Sequence, residues 1–389
     1  MSSKIILVTG PPLNGRDEYI QSAIQEAKGI AYFHVFDYMK KKGPAYGLAN
    51  LTRENILNIA SSTLDKIRND AFKEIAHNAK NAPIALVSTP ARFHLRPSAA
   101  SPSGIIDGFN EGHIQLLDPK MIIIFIADLL EVKSNLSRDS TWNTKVDSNL
   151  KTIANWRKES INVVMEIREN FLTQKNVCPL DVVIFSKGHD YQTFVDLIED
   201  KKPRIYLSYH ITGVQEESIN KIGIIRDKLK EHFICIDPYA IKDWDIINAY
   251  DKALESGSER VEVVNQNVEL YINEVNDAID EIRAQTVYRD YKLIESTHAT
   301  VVCHLSDQPS YGVMSEIIYT RAFASNPVYV LYPWKKRPSP FFEFYASDII
   351  RDGNIDQMTG WLIDIMKRDI TNGLWPRLSK EWKEDLPHQ

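Results

Sequence analysis

Cysteine is scarce in this chain: Cys178, Cys235 and Cys303 are its three, far apart in 389 residues. That excludes a disulfide framework and a cysteine-based metal motif, and it predicts a reducing compartment. Long hydrophobic runs are missing too. Nothing approaches the ~20 apolar residues that span a bilayer, and "MIIIFIA" reads as a buried strand. The opening "MSSKIILVTG" enters a strand pattern directly, without the apolar region and cleavage site of a signal peptide. A cytoplasmic location is therefore expected. No sign of charge dominates: the net charge is −6. General affinity for nucleic acid or a membrane is accordingly not expected. Internal repeats and low-complexity segments are also absent.

What is present is an ordinary globular composition, 43% hydrophobic and 25% charged, in a chain too long for one core. Apolar, β-branched runs alternate with amphipathic stretches. "KIILVTG", "IAYFHV", "PIALVST", "MIIIFIA" and "LDVVIFS" read as strands, with helices such as "TRENILNIASSTLDKIRNDAFKEIAHNA" between them. Near-continuous apolar strands separated by helices predict a parallel sheet covered on both faces. The pattern stops at the charged, Pro-terminated "IEDKKP" and restarts with "RIYLSYH", "FICIDPY", "ATVVCHL" and "NPVYVLYP". "EESINKIGIIRDKLKEH" and "VELYINEVNDAIDEIRAQTVYRDYKLIES" read as helices, and "GWLIDIMKRDI" as one more before a Trp-rich end. Two α/β domains follow, 1–200 and 201–389, the second ending in a helical tail.

In the first domain, "VTGPPLNGRDE" sits between a strand and a helix, where a phosphate-binding loop belongs. Gly10 and Gly15 have the spacing of G-x-x-x-x-G-K-[ST], in which backbone N–H groups cradle phosphates. Arg16 stands at the Lys position and Asp17 at the Ser/Thr position. Arg offers a planar fork in place of a point charge. Asp caps a helix well but repels phosphate unless a metal intervenes.

Over residues 4–200 the chain resembles the archaeal-type adenylate kinases and related P-loop nucleoside-monophosphate kinases. "FHVFDYM", "IALVSTPARFH", "PSGIIDGF" and "LDPKMIIIFIADLLEV" follow in the family's order. The resemblance implies ATP and Mg²⁺ at the loop. The departures fall on the chemistry: Ser88 stands where the family's strand carries Asp, and "NLSRDSTW" keeps Arg138 where the family has several arginines. Phosphoryl transfer depends on such cations, so a degenerate loop with weak or absent nucleotide binding is expected.

In the second domain, "QPSYGVMSEIIYTRA" places Glu316 after a Ser-Tyr-Gly turn, in what reads as the first turn of a helix beyond "ATVVCHL". Open parallel sheets bind ligands at that end. Residues 203–335 resemble the nucleoside 2-deoxyribosyltransferases and the related nucleotide N-glycosidases. "SYGVMSE" is similar to the family's S-x-G-T-x-x-E, and "RDYKLI" to its R-D-x-x-x-I. The resemblance implies a flavodoxin- or Rossmann-like domain. It makes Glu316 the nucleophile, Asp290 a base contact or proton donor, and Ser310 and Gly312 parts of the substrate site. Tyr206, Ser208 and Tyr209 at the first strand's end are candidate sugar contacts. Val313 replaces the usual Thr, and His298 stands where a second Asp is common. The family completes its sites across subunits, which implies a homo-oligomer, and Trp361, Trp375 and Trp382 in the tail would suit its interface.

Other residues carry less. His210 and His304 read as edge residues or pocket lining, and Lys335, Lys336 and Arg337 as a solvated loop. "DPYAIKDWDIINAYD" lacks metal-ligand spacing. The expected function is cleavage or transfer at the N-glycosidic bond of a nucleoside or nucleoside monophosphate, with no cofactor required. The alternatives are a non-catalytic nucleotide sensor and a divergent nucleotide kinase.

Overall fold

The alternation of apolar runs and amphipathic stretches resolves into two parallel sheets, each of five strands. The structure is a computed structural model that describes residues 3–378, apart from 57, 98–103, 176–179, 212–215, 307 and 352. Cys178 and Trp382 lie outside the described residues. The chain divides into two compact units, Met1–Tyr191 with Ile241–Thr286, and Gln192–Ala240 with Val287–Gln389. The units therefore do not follow a single cut near residue 200.

The first unit carries β1 (Lys4–Thr9), α1 (Arg16–Ala23), β2 (Ile30–His34), α2 (Val35–Lys42), α3 (Arg53–Ile56), α4 (Ser61–Asn78) and β3 (Ile84–Ser88). Next come β4 (Arg92–His94), β5 (Ile105–Asp107), α5 (Glu111–Leu117), β6 (Met121–Ile126), α6 (Leu129–Arg138), α7 (Leu150–Lys175) and β7 (Asp181–Ser186). The sheet order is β2-β3-β1-β6-β7. All six residues of β6 are buried, as a strand covered on both faces requires. The helix expected over 52–79 is broken into α3 and α4.

After α8 (Tyr191–Glu199), the remaining elements are β8 (Arg204–Tyr209), α9 (Glu216–Lys230), β9 (Ile234–Ile236), α10 (Asp243–Ser256), β10 (Arg260–Val263), β11 (Val268–Tyr271) and α11 (Ile272–Glu295). They are followed by β12 (Ala299–Cys303), α12 (Tyr311–Ala322), β13 (Val328–Leu331), α13 (Pro340–Tyr345), β14 (Asp348–Ile350) and α14 (Ile355–Thr371). The second sheet runs β14-β13-β12-β8-β9, all parallel. Counted along the chain this is 2-1-3-4-5, the flavodoxin-like order, with its switch point between β8 and β12.

Segment 241–286 holds a hairpin that periodicity does not reveal. "VELY", expected to begin a helix, forms β11 and pairs antiparallel with β10, Val263 opposite Val268. Its alternation turns Leu270 inward, and helical spacing begins only at Ile272. Ile246, Val261, Val275 and Ile282 share one core with Leu136 and Trp156 of the first unit, which is why this segment belongs there.

The tail differs from expectation. Trp375 is not exposed but fully buried in the second unit, its Nε1 donating to the Tyr329 hydroxyl at 2.8 Å. It packs with Phe233, and it is therefore unavailable to an interface. Trp361 is the part-exposed one. Among the described residues no helix is long and apolar enough to cross a membrane.

Candidate functional site

In the second unit the site grows from β8 and α12. Side chains alternate along a strand, so Tyr206 and Ser208 project from one face of β8 and Tyr209 from the other. Tyr206 donates to Glu316 Oε1 at 2.8 Å, and Ser208 donates to Oε2 at 2.5 Å. Both carboxylate oxygens are thus held by residues of β8, beside β12, near the switch point where such sheets bind ligands. Tyr209 is turned away. It donates to Asp237 at 2.6 Å, and Asp237 is also paired with Arg226 at 2.9 Å.

Glu316 lies one turn deeper in the helix than its spacing from Gly312 predicts. The Ser310 hydroxyl accepts from the Val313 N–H at 3.3 Å and caps α12, so the helix begins at Tyr311. Gly312 is therefore an exposed first-turn residue and not part of a turn before the helix. Val313 faces the core beside Ile317, where a methyl group suits the packing better than a hydroxyl.

Asp290 lies beside this carboxylate. Its Oδ1 accepts from Arg289 Nε at 2.9 Å and Nη2 at 2.8 Å. Burial, and then the Asp290 charge, push the Glu316 carboxyl up from its ordinary value to about 8, against the lowering effect of Ser208, Tyr206 and Arg289. Burial, Asp290 and Glu316 likewise hold the Tyr206 hydroxyl protonated. Two carboxyls in one water-poor place favour sharing a proton.

His298 is elsewhere. It precedes β12, at the opposite end of the strands from Ser208, and its Nδ1 accepts from the Arg204 N–H at 3.0 Å. Burial and Arg204 keep it neutral. His304 stacks on Tyr332 with centroids 5.3 Å apart, and His210 is half-buried nearby. Lys335, Lys336 and Arg337 are exposed. Sequence reasoning missed two contributors. Arg289, adjacent to Asp290, was legible in "RD". Tyr291, stacked on Tyr319 at 4.0 Å and bonded to Ser315, was not, because the partners are distant in sequence.

In the first unit, the loop from Gly10 to Arg16 has the backbone its glycines demand. Gly10 adopts φ 142°, and a Cβ there would lie 2.1 Å from the Phe125 carbonyl oxygen. Gly15 is left-handed at φ 71° and caps α1. The chain's own side chains occupy the surroundings. Asn14 donates to the Phe125 carbonyl at 2.8 Å and accepts the Arg16 N–H at 3.1 Å. Arg16 is buried, donating from Nε to Ser88 at 2.8 Å and from Nη2 to Asp17 at 3.0 Å. Asp17 also accepts from Ser88 and, at 2.7 Å, from Tyr32. Burial would raise its carboxyl, but Arg16, His34 and Ser88 outweigh that and hold it well below the usual range. Arg138 is exposed at the end of α6. Lys187, just beyond β7, brings an ammonium to where a Gly15 side chain would start, and it pairs with Glu131. Its place after a strand's carboxyl end was the signal that could have marked it.

Beside this loop lies a cavity of about 160 Å³, walled by Arg16, Phe36, Leu64, Phe93 and Trp142 among others. No protein-family model matches the chain, and a search of curated proteins finds no match to it either.

Proposed function

We propose that the second unit cleaves or transfers at the N-glycosidic bond of a nucleoside or nucleoside monophosphate. The supporting observation is the carboxylate of Glu316, gripped at both oxygens by Tyr206 and Ser208 at the sheet's switch point with Asp290 beside it. The shared proton passes from Glu316 to Asp290, and the ionised Glu316 oxygen attacks the anomeric carbon. The C–N bond breaks, and its electron pair leaves on the base, which takes up the proton that the carboxyl pair holds, from Asp290 in this reading. Water or a second base then gives its proton to the Asp290 carboxylate as it displaces Glu316 from the glycosyl ester, which restores both carboxyl groups. Charge on Glu316 stabilises the oxocarbenium-like centre, and the hydroxyl clamp removes the need to orient it during the reaction.

No observation favours the kinase reading over this one. The guanidinium at the lysine position spends Nε and Nη2 on Ser88 and Asp17. A homo-oligomer belongs to the proposal, with a second copy meeting the exposed aromatic residues Tyr311 of α12 and Phe323 just beyond it, which are 92% and 72% exposed. A monomeric mass at micromolar concentration would remove that part.

The deciding experiment incubates the pure protein with each nucleoside and nucleoside monophosphate, with and without a second base, and follows free base by chromatography. Release or exchange of base that Glu316→Gln abolishes is expected. No release from any substrate, or equal release by the variant, overturns the reading.

A further inference from the structure

The cavity of the first unit is independent of Glu316 and of its proposed reaction. Three observations define what it would hold. Its volume of about 160 Å³ is that of a cavity holding one aromatic ring, for which ~150 Å³ suffices. Part of its wall is aromatic and apolar: Phe93 and Trp142 stack at 5.6 Å and 10°, and Phe36, Met39 and Leu64 also line it. Among its lining residues is Arg16, whose Nη1 is buried without a hydrogen-bond partner among the described residues. A buried donor left unmade is costly, and an acceptor oxygen relieves it.

A nucleotide's phosphates find the loop already engaged. Asn14 accepts the Arg16 N–H that a phosphate would use, and Asp17 is the counter-ion of the Arg16 guanidinium. A cation is disfavoured as well, because three arginines, Arg16, Arg53 and Arg68, line the cavity against two carboxylates, Asp17 and Glu18.

We propose that this cavity binds a single-ring aromatic compound bearing a carbonyl or carboxylate oxygen, the ring lying among Phe36, Phe93 and Trp142 and the oxygen accepting from Arg16 Nη1. Aromatic walls favour a flat ring, and a guanidinium donor favours an oxygen acceptor.

The test titrates the full chain by calorimetry with benzoate, benzamide, benzylamine and AMP, with Trp142 fluorescence as a second signal. Saturable binding of benzoate and benzamide is expected, with benzylamine at least tenfold weaker and AMP unable to displace benzoate. Ile56→Trp, which narrows the cavity, should weaken benzoate at least tenfold at an unchanged melting temperature. Should that variant not fold, Phe36→Ala, at a half-buried wall position, takes its place. Absence of saturable binding, equal binding of benzylamine, variants that bind like the wild type, or displacement by AMP would each overturn the assignment.

Discussion

Asp17 in the first unit and Glu316 in the second are built alike and end up opposite. Each is held against a parallel sheet by one tyrosine and one serine of its strands, Tyr32 and Ser88 for Asp17, Tyr206 and Ser208 for Glu316. Burial pushes both carboxyls up. The deciding difference is the next charge. Arg16 stands beside Asp17 and drives it down, while Asp290 stands beside Glu316 and drives it further up. One carboxylate is neutralised into a structural ion pair. The other is raised, as the proposed reaction would use it, and such opposed environments are how one functional group acquires different roles.

The comparison breaks most visibly in activity. Glu316→Gln should keep the fold and lower base release by more than ~10³-fold, since it removes the nucleophile itself. Chromatographic assay of free base beside a far-ultraviolet circular dichroism spectrum checks both halves. A variant as active as the wild type would sink the assignment.

The matching change in the first unit, Asp17→Asn, should act on stability instead. Arg16 is buried and would lose its counter-ion, a loss worth ~3 kcal/mol or more. Urea unfolding of wild type and variant at neutral pH measures it. An unchanged midpoint would show that the pair is not structural.

Titration sharpens the contrast, because the signs differ. Glu316 is raised in the folded state, so folding favours its protonated form. Stability is then greatest below the ordinary value of 4.5 and falls as pH rises towards about 8. Glu316→Gln should flatten that slope. Asp17 is lowered in the folded state, so its contribution is full above the ordinary 3.8 and is lost as pH falls below it. Midpoints of urea unfolding across pH 3–9 test both windows. A slope between pH 5 and 8 that survives in Glu316→Gln would refute the first.

The smallest effect is expected from Ser208→Ala. It removes one hydroxyl from Glu316 and leaves Tyr206 in place, costing about 1 kcal/mol of positioning and roughly fivefold in base release. Loss as complete as that of Glu316→Gln would mean that Ser208 does more than hold the carboxylate.

Nine of the ten strands of the two large sheets were legible because each is a short apolar run bounded by turn residues, and "RIYLSYH" and "ATVVCHL" contain β8 and β12; β14 and the two hairpins were not. The pairing of Tyr206 and Ser208 with Glu316 was half legible. Alternation along β8 separates Tyr209 from them, but no spacing says which face meets α12. The α12 start was misread because Gly312 looks like a turn residue, whereas the Ser310 cap fixes where the helix begins. Trp375 shows the same limit: a tail rich in Trp reads as exposed until Tyr329 and Phe233 are seen to enclose it.

Local pattern by itself determined the two-sheet α/β class, the glycine loop after β1 and a carboxylate beyond β12, because periodicity and turn chemistry act over a few residues. Tertiary structure alone decided that segment 241–286 joins the first unit's core, that Lys187 comes to Gly15, and that Arg16 and Asp290 stand beside the two carboxylates. For all but the adjacent Arg16 and Asp17, the partners are far apart in sequence. Even for that pair, whether the charges meet and lose water depends on Ser88, His34 and Tyr32 closing around them. Coulombic interaction and burial act through space, and no short window of sequence contains them.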